Sequence, residues 1–226
     1  MYRYETHLHT APVSKCAKGG VRETVEYYKE LGYDGIFITN HFLDGNINID
    51  KTLPYEEQLA FYVSDYEEAV KVGQEIGIKV FFGVEMTYKG TDFLIYGLMP
   101  EWYFAHPEIM EMKKSEEMAF LAEQGALVVQ AHPFAEARYI DHIRLYPRSV
   151  HGVEVLNAHQ KPERNVIAKM YAEHYGLIPM AGSDNHSAAA EKKLAGVECE
   201  APVMDEQDFV KKVKAGEMKI FSLMEE

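Results

Sequence analysis

The chain has 226 residues, 47% of them hydrophobic and 26% charged, which is enough apolar material for a sizeable core and excludes a disordered polypeptide. Thirty-six acidic against 23 basic residues give a net charge of −13, which repels nucleic-acid backbones and argues against polymeric nucleic acid as a partner. Two cysteines, Cys16 and Cys199, make no disulfide framework, the N-terminus MYRYETHLHT has no basic region followed by an apolar run, and no apolar stretch reaches the roughly 20 residues that span a membrane. These features predict one domain over residues 1–226, cytoplasmic, with free thiols and no membrane partner.

Short buried-type runs alternate with helical segments along the chain. Residues 4–9 read as a first strand, 21–31 as a helix stopped by Gly32, and 35–39 as a second strand leading to Asn40-His41. After a loop rich in Asn, Asp and Gly, 55–76 read as a long helix closed by Gly77. Residues 79–84 form a third strand ending at Glu85, and 92–96 a fourth reached through a turn at Lys89-Gly90. Residues 107–124 read as a helix with Pro107 in its first turn. A fifth strand, 126–131, leads to His132-Pro133, and a sixth, 152–157, precedes a helix over 162–175. The seventh, 178–181, runs into Gly182-Ser183-Asp184. An amphipathic helix over 205–215 and a strand over 219–223 complete the pattern.

Strands alternating with helices predict an α/β fold with mostly parallel strands, and about seven units in one domain suggest a distorted (β/α)7 TIM-like barrel. A doubly wound open sheet is the second choice, and the sequence has no GxGxxG or P-loop motif to support its nucleotide-binding forms.

The position of the polar residues carries the functional argument. His7 and His9 sit two apart in an extended run, so they face one side, as do Asp184 and His186. His41 follows the second strand, Glu85 ends the third and His132 ends the fifth. In an α/β barrel the carboxyl ends of all strands share one face, which carries the active site. Seven imidazole or carboxylate groups would converge there from five strands. Nitrogen and oxygen donors without thiolate suit zinc, manganese or iron, and several such ligands in one cleft fit a multinuclear site that holds a hydroxide and clamps the attacking and leaving oxygens of an in-line displacement.

These motifs, in this order, resemble the PHP (polymerase and histidinol phosphatase) domain family: His7-Leu8-His9, Thr39-Asn40-His41, Gly83-Val84-Glu85, His132-Pro133 and Gly182-Ser183-Asp184-Asn185-His186. The resemblance implies a distorted (β/α)7 barrel with two or three divalent ions and phosphoester hydrolysis as its commonest activity. It implies that His7, His9, Glu85 and Asp184 hold one ion, that Glu85 bridges to a second held with His132, and that His41 and His186 contribute to a third. The chain departs from the pattern twice. Many members carry an Asp or His shortly after the first motif, where this chain has Ser14-Lys15-Cys16. The Lys15 charge would replace part of the third site, or Cys16 would ligate, or Cys16 is an ordinary partly buried thiol. Histidinol-phosphatase-like members also close the fourth strand with a His, which Leu94-Ile95-Tyr96-Gly97-Leu98 lacks.

His159, after the sixth strand, is a candidate proton donor or phosphate contact, and Arg138 and Arg164 are candidates to grip a phosphate. His106, beside Pro107, reads as surface or site, and Trp102-Tyr103 as a ring-stacking pair or a packing anchor. His142, His151 and His174 read as surface, and Glu116-Glu117 and Glu225-Glu226 as solvated charge. The expectation is a metal-dependent phosphoesterase acting on a small phosphorylated metabolite or nucleotide through a metal-bound hydroxide, with His159 and Arg138 assisting. The alternatives are an amidohydrolase-like enzyme acting on a carbon centre and a metal-binding module without turnover.

Overall fold

The computed structural model describes residues 1–223; Glu225 and Glu226 lie outside them. Nine strands make one sheet: β1 (Tyr2–Glu5), β2 (Gly35–Ile38), β3 (Lys79–Tyr88), β4 (Thr91–Tyr96), β5 (Leu127–Gln130), β6 (Gly152–Asn157), β7 (Ile178–Gly182), β8 (Leu194–Cys199) and β9 (Lys219–Leu223), ordered β7-β6-β5-β4-β3-β2-β1-β8-β9. Neighbours run parallel from β1 to β3 and from β5 to β7. The sheet curls into a nearly closed barrel. Just past β1 and β7 the two segments meet, with Asp184 N–H donating to His7 O at 2.8 Å and His9 N–H donating to Asn185 O at 2.9 Å.

Two elements depart from an all-parallel barrel. Lys89 and Gly90 both have positive φ, 51° and 77°, the geometry of a two-residue hairpin turn. So β4 runs back antiparallel to β3 and β5, and its first residue, not its last, lies at the barrel mouth. The second element, β8, was not expected. It pairs antiparallel with β1 and β9, and Gly196 in its middle passes so close to Tyr4 O that a Cβ there would collide. That glycine interrupts the apolar alternation by which a strand is read from sequence.

The helices are α1 (Val21–Glu30), α2 (Tyr55–Ile76), α3 (Pro100–Ala105), α4 (Lys114–Glu123), α5 (Pro162–Tyr175) and α6 (Glu206–Lys214). α1 buries Val21, Thr24, Val25 and Tyr28, one stripe at helical spacing, and α2 stops at Gly77 in the left-handed conformation. The helix expected over 107–124 is broken. Pro107–Glu111 is a 3-10 turn, Met112 is extended, and α4 starts at Lys114; α3 occupies what read as a loop. Trp102 and Tyr103 thereby join the core, Tyr103 packing on Phe42 and Phe82. Glu117 is buried rather than solvated and pairs with Lys114 at 2.6 Å.

Alternate barrel residues point inward. Phe37, Phe81 and Tyr96 fill the interior, and α6 seats Phe209 against Phe37 and Tyr96 with ring centres at 4.4 and 5.3 Å. Each fully buried aromatic of this kind contributes roughly 1.5–3 kcal/mol. With α6 packed into this apolar interior, the polar groups collect at the mouth. Among the described residues no helix is long and apolar enough to cross a membrane.

Candidate metal centre

The centre begins where β1 ends. Extended backbone sends Leu8 into the helix-side core and His7 and His9 into the barrel, both almost wholly buried. His7 Nδ1 donates to Glu154 Oε1 at 3.0 Å. Ser14 Oγ spends its proton on Asn40 Oδ1 at 2.9 Å, so His9 Nδ1 donates to Ser14 Oγ at 3.1 Å. With both Nδ1 atoms committed as donors, both Nε2 atoms present lone pairs, and these lie 3.3 Å apart. Around them stand Glu85 Oε1, 3.2 Å from His7 Nε2, Glu85 Oε2, 3.4 Å from His9 Nε2, and Asp184 Oδ1, 3.5 and 3.4 Å from the two. Lone pairs and anionic oxygens facing one another at this distance repel unless a cation or proton lies between them.

Glu85 makes the same point. It projects from β3, 1% exposed, and neither oxygen has a hydrogen-bond donor among the described residues. His41 Nδ1 comes within 2.7 Å of Oε2 yet lacks hydrogen-bond alignment. A buried carboxylate without donors is costly, and a shared metal ion would satisfy it. His7, Glu85 and His132 form one potential ligand group, His7, His9 and Asp184 a second, and His9, His41 and His186 a third, with ligand atoms in each lying within 4.8 Å of one another. The residues present therefore fit a multinuclear divalent centre.

Burial opposes charge on His7 and His41, but Asp184, Glu154 and Glu85 around His7, and Glu85 beside His41, raise both imidazoles well above their ordinary range. Burial together with His186 and His41 lowers His9 to about 3. Burial would raise Glu85 and Asp184, yet the neighbouring imidazoles hold both well below the usual carboxylate range.

The backbone is bent to make this arrangement. His132 and Asp184 have φ of 23° and 56°, a region non-glycine residues rarely occupy and one that concentrates at functional sites. Gly182 lets β7 pass: a Cβ there would lie 2.5 Å from His7 Cβ and 2.8 Å from Glu154 Oε1. Glu154, buried in β6 against His7, is a residue of the cluster that the sequence pattern did not single out. Besides orienting His7, its other oxygen accepts from His132 N–H at 3.0 Å and Asn157 Nδ2 at 2.8 Å. A carboxylate that fixes a ligand imidazole in this way sets both its tautomer and its direction. The available signal was a lone charged residue within an otherwise buried-type strand. Glu5 is similar. It accepts N–H bonds from His7 and Ser183 and the Ser183 hydroxyl, stitching β1 to β7, and burial raises its carboxyl to about 7.

Above the cluster opens a cleft of about 830 Å³, lined among others by His41, Glu85, His132, Asp184, His186, His159, Lys161, Arg164, Cys16 and Asp92. His159 is half-exposed, its ring 6.1 Å from that of His186. Arg164 hydrogen-bonds Gln160 and pairs with Glu136 at 3.2 Å. Arg138 is exposed and does not line the cleft; Lys161, to which the sequence reading gave no role, does. Asp92 was missed as well. Opposite Thr87 in the β3–β4 ladder, it shares a face with Glu85 and reaches within 3.9 Å of His132 Nε2. Burial and the Glu85 charge raise it to about 6. Because the hairpin reverses β4, the carboxylate beside His132 stands near the beginning of that strand and not at its end.

At the rim, Lys15 is exposed, while Cys16 faces the cleft. Burial would raise its thiol, but hydrogen bonds and charge from His186 and His41 bring it to about 6. His106 stacks on Trp102 and pairs with Glu108, away from the cleft. His142 is exposed beside Asp141, His151 Nδ1 accepts from Val128 N–H at 3.1 Å, and His174 is exposed against Tyr175.

The family model described as PHP domain matches residues 5–196. The chain belongs to the PHP domain family. Among solved structures it is similar to a two-domain protein from Bacteroides vulgatus containing a predicted PHP-like metal-dependent phosphoesterase, at 15% identity and a TM-score of 0.68. That match covers 97% of this chain, which spans only 64% of the two-domain protein. PsfC from Pseudomonas syringae is similar at 17% identity and a TM-score of 0.60, over 93% of this chain and 88% of the other. An amidohydrolase from Chromobacterium violaceum, solved with bound sulfate and no metal, is similar at 12% identity and a TM-score of 0.58, over 98% of each chain. At such identities these likenesses establish the PHP-type fold. No curated protein matches the sequence.

Proposed function

We propose that this PHP domain is a metal-dependent phosphoesterase acting on a small phosphorylated metabolite or nucleotide. The observation that carries the reading is the set of buried lone pairs and carboxylate oxygens of His7, His9, Glu85 and Asp184, 3.2–3.5 Å apart and open on one side to a cleft whose lining includes Lys161 and Arg164. Bound divalent ions would supply an activated water and positive charge against a phosphoryl group. The residues of the chain do the rest. His7, His9, Glu85, Asp184 and His132 would hold two ions, with Asp92 as the further ligand beside His132 and His41 and His186 reaching a third. Glu154 and Ser14 keep His7 and His9 in the tautomers that offer Nε2.

Arg164 and Lys161 in the cleft wall would bind the phosphate, the role expected from the sequence of Arg138 and Arg164. His159 stands at the open side, where a leaving alkoxide would depart, and would give it a proton. The cleft volume and the net charge of −13 favour a small substrate over a nucleic-acid polymer.

The test is phosphate release from a panel of phosphomonoesters and phosphodiesters with zinc, manganese or iron(II) added. Turnover that disappears in Asp184→Ala supports the proposal; an inert panel with every metal sinks it. A second reading, hydrolysis at a carbon centre, draws on the whole-length likeness to the Chromobacterium violaceum amidohydrolase and predicts activity on amides or lactones with no phosphate released.

A further inference from the structure

One charged residue lies on the buried face of α2. Asp65 is 2% exposed among Leu59, Tyr62, Val63, Ala69 and Val72, where a carboxylate without partners would be costly. Its Oδ2 accepts from Thr10 Oγ1 at 2.7 Å, Val13 N–H at 3.2 Å and Asn40 Nδ2 at 3.2 Å. Asn40, also buried, uses every hydrogen-bonding position it has. Nδ2 donates to Asp65 and to Thr10 Oγ1 at 2.9 Å, and Oδ1 accepts from Thr10 N–H at 2.7 Å and Ser14 Oγ at 2.9 Å. Ser14 Oγ meets His41 N–H at 3.1 Å and His9 Nδ1 at 3.1 Å. Tyr62, on the same helix, donates its hydroxyl to Asn40 O at 3.0 Å, so α2 holds Asn40 by side chain and backbone together.

The hydrogens in this chain of contacts admit a single order. A backbone N–H can only donate, so Val13 marks Asp65 Oδ2 as an acceptor, Thr10 marks Asn40 Oδ1 as one and His41 marks Ser14 Oγ as one. Asp65 therefore draws the amide nitrogen of Asn40, which turns the amide oxygen to Ser14. The contact between Asn40 Oδ1 and Ser14 Oγ needs a proton, and Ser14 alone can supply it. The serine is left with only lone pairs for His9 Nδ1. Thr10, Ser14, Asn40 and Asp65 are all almost wholly buried, which keeps out the water that could reverse the order.

We propose that Asp65 is a positioning residue of the metal centre, acting through Asn40 and Ser14 to hold His9 in the tautomer that offers Nε2 to the ions and to pin the backbone at His41. This rests on the cluster being a metal centre. His9 belongs both to the ligand group with His7 and Asp184 and to the group with His41 and His186, so one relay from α2 serves the inner and the outer ions. A partner that fixes the tautomer and direction of a ligand imidazole governs metal affinity without touching the metal.

The test reads zinc affinity of the full chain by competition with a chromogenic chelator, and the His9 ring by long-range proton–nitrogen correlation spectra of protein carrying isotope-labelled histidine. The zinc-loaded wild type should show the His9 ring proton on Nδ1 and the metal-shifted nitrogen at Nε2. Asp65→Ala should weaken binding of the tightest zinc about 10–100-fold. Asp65→Asn keeps an oxygen for the donors and should recover most of that loss. Ser14→Ala should weaken zinc to a similar extent, and Asp65→Ala combined with Ser14→Ala no further, because both changes cut one path. A merely structural role would instead lower the melting temperature of the metal-free chain and leave the zinc affinity of the folded protein intact. Unchanged affinity in Asp65→Ala, losses that multiply in the double variant, Asp65→Asn as weak as Asp65→Ala, or a wild-type His9 protonated on Nε2 would each overturn the proposal. If Asp65→Ala does not fold, Asn40→Ala cuts the relay at its next link, and unchanged affinity there overturns it equally. If the wild type binds no zinc, the metal centre and the relay fall together; if it binds zinc and the variants bind it as tightly, the relay alone is wrong.

Discussion

His7, His9, Glu85 and Asp184 are at most 6% exposed and are braced from behind by Glu154, Ser14 and Asn157, whereas His41, His186 and Cys16 line the open cleft on loops. The inner group takes its geometry from strand ends and from backbone that cannot relax: φ of 56° at Asp184 and a glycine at 182 that admits no side chain. The outer group depends on loop-to-loop hydrogen bonds and departs from the expected ligand types. The difference teaches that the sheet dictates the inner ligands, while the loops leave the outer ones free to vary.

The comparison breaks most clearly if inner and outer substitutions behave alike. Asp184→Ala or His9→Ala should lower metal-dependent turnover by about 10³-fold or more, because each removes a ligand within the buried cluster. Steady-state rates beside the melting temperature separate this loss from unfolding, and full activity in either variant would refute the assignment.

Glu5, beneath the inner group, should reveal itself through pH. Its carboxyl is raised from 4.5 to about 7, so between these values the folded metal-free chain keeps a proton that the unfolded chain has lost. That contribution to stability is full below pH 4.5 and is lost as the pH rises to about 7. Gln at this position keeps the two N–H bonds through its carbonyl and donates to Ser183 Oγ. The urea-denaturation free energy of Glu5→Gln should therefore fall less across this window than that of the wild type, by on the order of 3 kcal/mol. Parallel profiles would remove Glu5 from the account.

Chelation followed by restoration of zinc at about 100 times its dissociation constant should change stability by about 2.7 kcal/mol, read as a shift in melting temperature. Glu154→Gln should lower metal affinity or activity about 10–100-fold with little change in fold. Arg164→Ala should raise KM with a smaller effect on kcat, the smallest of these effects, since its guanidinium already shares Gln160 and Glu136.

Much of this was legible in the chain because the barrel's rhythm and its ligands coincide. His7, His9, His41, Glu85, His132, Asp184 and His186 all follow or interrupt buried-type runs, and the structure gathers them at one mouth. What escaped has physical causes. Asp92 was overlooked because the Lys89-Gly90 turn was read without its consequence, a reversed strand whose opening residues lie beside the site. β8 was hidden by Gly196, and Glu154 by lying within a strand rather than at its end. Arg138 was favoured for its distance along the chain from β5, but loops do not preserve such distances, and Lys161 and Arg164 reach the cleft instead.

The central claim is that the buried His7, His9, Glu85, Asp184 and His132 cluster exists to hold divalent cations. Metal content of the purified chain by inductively coupled plasma mass spectrometry, after incubation with zinc or manganese and removal of the excess, tests it most directly. The account predicts two or three ions per chain, reduced in Asp184→Ala. Less than one ion per chain, or the same content in that variant, would contradict it.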